Sequence, residues 1–164
     1  MSARRLVLSL LLSATSIQAL AHSAPHSFVS LDFGTNSVHA EMRVPKSELA
    51  FATAVEPGVP SFEAYLLRHV AAETPDGKHW RVTVRSVRST VYLDHDYLVA
   101  QLELVPPAGA SVRHFVLVDD AVTHEVRNHL VLVQARGDSQ PGRLGLLQYP
   151  VRRLSIERPT RPSP

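Results

Sequence analysis

Apolar and polar residues alternate strictly through SFVSLDFGTNSVHAEMRV, with Val29, Leu31 and Phe33 set against Ser30 and Asp32. After Gly34-Thr35-Asn36, Val38, Ala40, Met42 and Val44 are set against His39, Glu41 and Arg43. A period of two broken by that tripeptide predicts a half-buried β-hairpin. The period changes in PSFEAYLLRHVAAETPDG, where Phe62, Tyr65, Leu66 and His69 fall on one helical stripe. Ser61 is the predicted N-cap, and the helix is predicted to stop before the turn Pro75-Asp76-Gly77. Alternation returns with Trp80, Val82 and Val84, then with Leu98, Ala100, Leu102 and Leu104, before Pro106-Pro107-Ala108-Gly109 breaks the chain. SVRHFVLV, LVLVQA, LGLLQY and RRLSIE add further short apolar runs. Many short strands, polar turns and one short lateral helix predict a mostly β domain, an antiparallel immunoglobulin-like β-sandwich. The sequence carries no internal repeat.

The first residues follow a different logic. Arg4 and Arg5 precede an apolar run from Leu6 to Leu12 and the small-residue tripeptide Ala19-Leu20-Ala21. This is the layout of a secretory signal peptide over 1–21, which predicts an exported domain beginning at His22 and running to residue 157. The tail RPTRPSP, over 158–164, is too poor in apolar residues to fold and is expected to be disordered. The apolar run near the N-terminus is too short to span a bilayer, and no later stretch reaches the ~18 apolar residues that a membrane helix needs.

Charge and cysteine content narrow the function classes. Loss of Arg4 and Arg5 takes the 17 basic residues to 15, level with the 15 acidic ones. With no block of Lys or Arg either, the sequence argues against a nucleic-acid partner. There are no cysteines, so disulfides, thiolate metal sites and cysteine nucleophiles are all excluded. A chain of about this size buries roughly two-thirds of its unfolded surface, enough for one ordinary core.

The chemistry then rests on nine histidines. THEVRNH places His124, Glu125 and His129 together and invites comparison with the zinc-hydrolase helix, whose histidines are four apart so that both face one ion. Here they are five apart, about 140° out of line on a helix, and the hydrolase reading fails. On strands the outcome depends on the turn. A two-residue hairpin at Arg127-Asn128 would set His124 diagonal to His129, about 7 Å away and able to converge on one metal. A straight strand would send them to opposite faces and leave ordinary strand-end polar residues. Arg-Asn is a poor two-residue turn, since the first position needs positive φ.

His22 is a second candidate. As a new N-terminus it would offer an amine and an imidazole, which with a further histidine can brace copper. The terminal motif with His in third place is absent, because Ala24 stands there. In YLDHDYL, Asp94, His95 and Asp96 suit either a divalent cation or, more simply, a solvated hairpin tip. His39 reads as an exposed strand residue, and His69 and His79 as packing or boundary residues. With no G-x-S-x-G elbow and no phosphate-cradling glycine loop, no enzymatic activity is expected.

The mature N-terminus after Ala21-His22, the opening SFVSLDFGTNSVHAEMRVPKSELAFA, FEAYLLRHV followed by TPDGKHWRVTV, the block ELVPPAGASVRHFVLVDDAVTHEVRNHLVLV and the closing RLGLLQYPVRRLSI together resemble the extracytoplasmic N-terminal part of HupE/UreJ-type membrane proteins. The resemblance covers nearly all of the expected mature chain. It implies a periplasm-facing β-sandwich associated with a nickel or cobalt permease. Members of that family continue into several membrane helices, which this sequence does not contain, so transport itself does not carry over. The expectation is an exported, periplasmic accessory domain that handles a divalent transition metal (nickel, cobalt, copper or zinc) beside a membrane transporter or other membrane protein. Its ligands would be His124 and His129, with His22 as a third. The alternative is a structural interaction domain that docks on a membrane protein and binds no metal.

Overall fold

The computed structural model describes residues 26–54, 58–136 and 142–158. The predicted signal peptide, His22 and the tail beyond Arg158 lie outside the described residues.

The hairpin forms as the alternation requires. β1 (Ser27–Phe33) pairs antiparallel with β2 (Val38–Pro45), from Phe28 opposite Arg43 to Phe33 opposite Val38. Val29, Leu31, Val38, Ala40, Met42 and Val44 are all buried, because a period of two sends them to one face. The chain then enters α1 (Lys46–Thr53), a second helix that the sequence pattern did not suggest. Only Glu48 and Leu49 of α1 are buried, so no apolar stripe marks it.

α2 (Val59–His69) carries the predicted stripe, with Phe62, Tyr65 and Leu66 buried. Its N-cap is Gly58, however, with proline in the first turn, and the Ser61 hydroxyl donates to the Gly58 carbonyl at 3.0 Å. Pro60 inside the helix accounts for the earlier start, since proline's fixed φ and missing N–H suit a first turn. The helix ends at His69, and Val70–Glu73 becomes strand β3 despite its two alanines, because pairing with a neighbouring strand overrides local propensity.

β4 (Arg81–Tyr92) and β5 (His95–Val105) form a long hairpin whose tip residues Leu93 and Asp94 both have positive φ. The turn reading of YLDHDYL therefore describes that segment. After the Pro-Pro turn come β6 (His114–Asp119), β7 (Val131–Ala135), β8 (Gly142–Leu147) and β9 (Arg153–Glu157).

These strands make two open sheets, a six-stranded one in the order β4-β5-β2-β1-β7-β8 and a three-stranded one in the order β3-β6-β9. The expectation of antiparallel pairing holds at every strand pair but one. β1 and β7 are parallel, from Ser27 opposite Val131 to Leu31 opposite Ala135, so the larger sheet is mixed. A parallel pair needs a long crossover, here everything between β1 and β7, and alternation within a strand carries no record of its neighbour's direction. The buried residues of both sheets and both helices form one core cluster. Phe115 of the smaller sheet meets Phe33 and Trp80. Gly145 of β8 lies so close to β9 that a Cβ there would stand 2.6 Å from a Leu154 methyl.

Candidate metal centre

The register of the smaller sheet creates a site that no local motif announces. β3 and β6 are antiparallel, with Val70 opposite Asp119. One step further along this ladder, His69 comes opposite Asp120, whose N–H donates to the His69 carbonyl at 3.2 Å. Two residues 51 apart in sequence thus become neighbours, and His69 Nδ1 lies 2.9 Å from Asp120 Oδ1. The chain then turns helically from Asp120: the His124 N–H and its Nδ1 both reach the Asp120 carbonyl, at 3.2 and 2.8 Å. That single turn lays His124 over Asp120 at the spacing of four that helical side chains need to meet. One ligand atom from each of His69, Asp120 and His124 lies within 4.8 Å of the other two, the one such group of three among the described residues.

Several features hold these donors in place. The His69 and His124 rings stack with centroids 4.4 Å apart and an interplanar angle of 23°, and Tyr65 packs against both, its centroid 4.4 Å from His69 and 6.2 Å from His124. Tyr65 is fixed by its hydroxyl, which donates to the Ala121 carbonyl, and burial raises its pKa, with Asp119 and Asp120 adding to the effect. Asp119 is buried, accepts the Ala121 N–H at 3.0 Å and has its pKa pushed up to about 6, chiefly by burial. It is a clamp on the loop. Because carbonyl and carboxylate oxygens only accept, Nδ1 is the donor in both contacts; His124 keeps an Nε2 lone pair for a metal, and an ion shared by His69 and Asp120 would take the place of the proton between them. His69 also ends α2, whose negative dipole end favours a cation. Arg152 approaches the other carboxylate oxygen of Asp120 at 3.6 Å.

The structure does not bring His124 and His129 to one ion. The Arg127-Asn128 turn closes, with the His129 N–H reaching the Val126 carbonyl at 3.0 Å, but neither central residue has positive φ. No strand precedes it. His124 sits in the helical turn, whereas His129 is sealed in the core, 2.8 Å from Ser27 Oγ through Nε2 and 3.5 Å from Glu48 Oε2 through Nδ1. Burial lowers the His129 pKa to about 4, so the ring is neutral and the Glu48 contact is not an ion pair at neutral pH. A hydroxyl, an imidazole and a carboxyl in this order resemble a nucleophilic triad, but Ser27 is only 3% exposed and bonded into the sheet through its N–H to Leu130, which closes it to a substrate.

Of the residues singled out from the sequence, His124 is therefore in the cluster, His129 is in a separate buried network, and His22 lies outside the described residues. His69 and Asp120 were missed. The spacing test applied to the two histidines finds Asp120 and His124 four apart, a signal present in DDAVTHE, whereas His69 joins only through the β3–β6 register. No protein-family model matches the chain, and a search of curated proteins gave no significant match.

Proposed function

We propose that the chain is an exported accessory domain that binds a divalent transition metal through His69, Asp120 and His124, in association with a membrane transporter. The carrying observation is the convergence of two imidazoles and one carboxylate from two segments distant in sequence, the end of α2 and the turn 120–124, at the negative end of a helix. Two nitrogens and one oxygen suit nickel, cobalt, copper or zinc, with copper favoured on affinity alone. The periplasmic setting and the transporter partner rest on the signal-peptide pattern and on the resemblance to HupE/UreJ-type proteins. Calorimetric titration of the chain with Ni(II), Co(II), Cu(II) and Zn(II), repeated on His69→Ala and His124→Ala, tests the reading. Binding abolished or weakened at least 100-fold in both variants supports it. Binding unchanged in both, or no binding of any metal, overturns it.

One observation favours the metal-free docking alternative. Val91 and Leu93 at the β4–β5 tip are 67% and 74% exposed, and β4 is an edge strand of its sheet. An apolar hairpin tip beside an open edge is a surface on which another protein can pair or pack.

A further inference from the structure

We propose that the open edge of β4 receives an extended acidic segment of a partner protein, which adds to the six-stranded sheet as a further strand. The proposal rests on the docking reading of the β4–β5 hairpin and on none of the metal ligands. β4 is an end strand of its sheet, and its named strand partner is β5. Among the described residues, no turn or loop backbone bonds to the stretch Arg81–Tyr92. The strand has 12 residues, all at least partly exposed, where a typical strand has about 5–6. An open row of backbone donors and acceptors of that length is a template for another chain.

The two faces of β4 say what the added strand must carry. Val82, Val84 and Val87 lie opposite Leu104, Leu102 and Ala100 of β5, on the core side, and pack against the core while staying partly exposed. Apolar residues of an added strand on that side would cover them, a gain beyond the backbone bonds. The other face is basic. Arg81 and Arg88 lie opposite Val105 and Val99, and Arg85, at the bulge between Val84 and Ser86, pairs with Glu103 on that same face. β4 itself holds no Asp or Glu. The nearby carboxylates are already shared, Glu103 with Arg85 and Glu41 with Arg43, Arg88 and Arg136. Positive charge is therefore in surplus along 81–88, whereas Asp94 and Asp96 sit at the hairpin tip.

That charge selects the occupant. Two copies of β4, in any register and either direction, set arginine against arginine or a neutral residue and never against an acid, and like charges directly opposite each other destabilise a strand pair. Arginines and a bulge are devices by which an edge strand avoids pairing with its own kind. Residues 1–25 and 159–164 contain no Asp or Glu, so they do not supply the complement either. What fits is a partner segment with apolar residues at alternate positions and acidic ones between them, the acids facing Arg81, Arg85 and Arg88. Backbone bonds then give affinity, and the alternate side chains give specificity.

Fluorescence anisotropy at low salt tests this with a synthetic octapeptide that alternates valine with glutamate and with its glutamine counterpart, and hydrogen exchange reads the β4 amides. The expected result is that the purified chain binds the glutamate peptide about tenfold or more tighter than the glutamine one, a preference lost in the Arg81→Gln/Arg85→Gln/Arg88→Gln variant. The peptide should also protect alternate β4 amides, those that point away from β5. If the triple variant does not fold, Arg88→Gln alone, on a side chain 55% exposed, should cut the preference about two- to threefold. No binding, equal binding of the two peptides, or binding that protects no β4 amide overturns the proposal. A concentration-dependent dimer that protects these amides without peptide assigns the edge to a second copy, and binding of phosphatidylglycerol vesicles in preference to the peptide assigns the arginines to a lipid surface; either overturns it. His69→Ala should leave peptide binding unchanged, so this proposal and the metal reading stand or fall separately.

Discussion

His124 and His129 are five positions apart, and each has a carboxyl group beside it, yet they occupy opposite chemical situations. His124 is half-buried in a stack of rings, with Nδ1 bonded to a backbone carbonyl and Nε2 left for a ligand. His129 is sealed, with one nitrogen on Ser27 and the other facing Glu48. The Asp120 carboxylate lies at the end of a sheet ladder beside an exposed arginine, whereas that of Glu48 sits in the core with a pKa raised by burial. Burial alone does not make a histidine a ligand or a structural element. What decides is whether the ring's second nitrogen has a bound partner, an open approach or an unmet neighbour.

The largest effect that separates the two regions is on metal affinity at the outer one. His124→Ala should weaken that binding ~100-fold or more, while His129→Ala, whose ring contacts Ser27 and Glu48 instead, leaves the ion held by His69, Asp120 and His124 essentially unchanged. Calorimetry on both variants reads this directly, and equal losses would erase the distinction.

Stability reverses the ranking. In metal-free buffer His129→Ala should cost about 3 kcal/mol in urea unfolding, because it opens a cavity and strands Ser27 and Glu48, whereas His124→Ala costs less than about 1 kcal/mol.

Acid should sharpen the contrast within the core. The folded pKa of His129, about 4, lies below its ordinary 6.5, so the unfolded chain takes the proton first. Its contribution, full above pH 6.5, is lost as pH falls towards 4, by about 3 kcal/mol. Asp119 works in the opposite sense, since its folded value of about 6 lies above the ordinary 3.8. The folded state holds that proton, and stability rises as pH falls from 6 towards 4 by a similar amount. With a chelator present, His129→Gln should therefore make the chain relatively more stable on acidification across that window, and Asp119→Asn relatively less. Parallel pH profiles in both variants and the parent would refute the assignment.

The smallest effect belongs to Arg152. Its guanidinium competes for Asp120 at 3.6 Å but is 66% exposed, so solvent screens it. Arg152→Ala should tighten metal binding about two- to fivefold at low salt, with the gain fading as salt is raised.

Much of the fold was readable because its rules are local. Alternation gave the β1–β2 hairpin and the later strands, and Pro75-Asp76-Gly77 gave a turn that closes on Thr74. α1 escaped because only two of its residues are buried, and β3 because Val70–Glu73 takes its conformation from β6. The site divides in the same way. Asp120 and His124 are four apart and readable by spacing, whereas His69 read as a packing residue of its helix stripe.

By itself, then, the chain determined its cysteine-free chemistry, the strand alternation and the presence of histidines near acidic residues, since composition and short-range periodicity are properties of the covalent sequence. Folding determined the parallel pairing of β1 with β7, the placement of His69 against Asp120, and the burial of His129 against Glu48 and Ser27. Those depend on which distant segments share a ladder, a choice set by the burial of the whole core and by satisfying its backbone hydrogen bonds together.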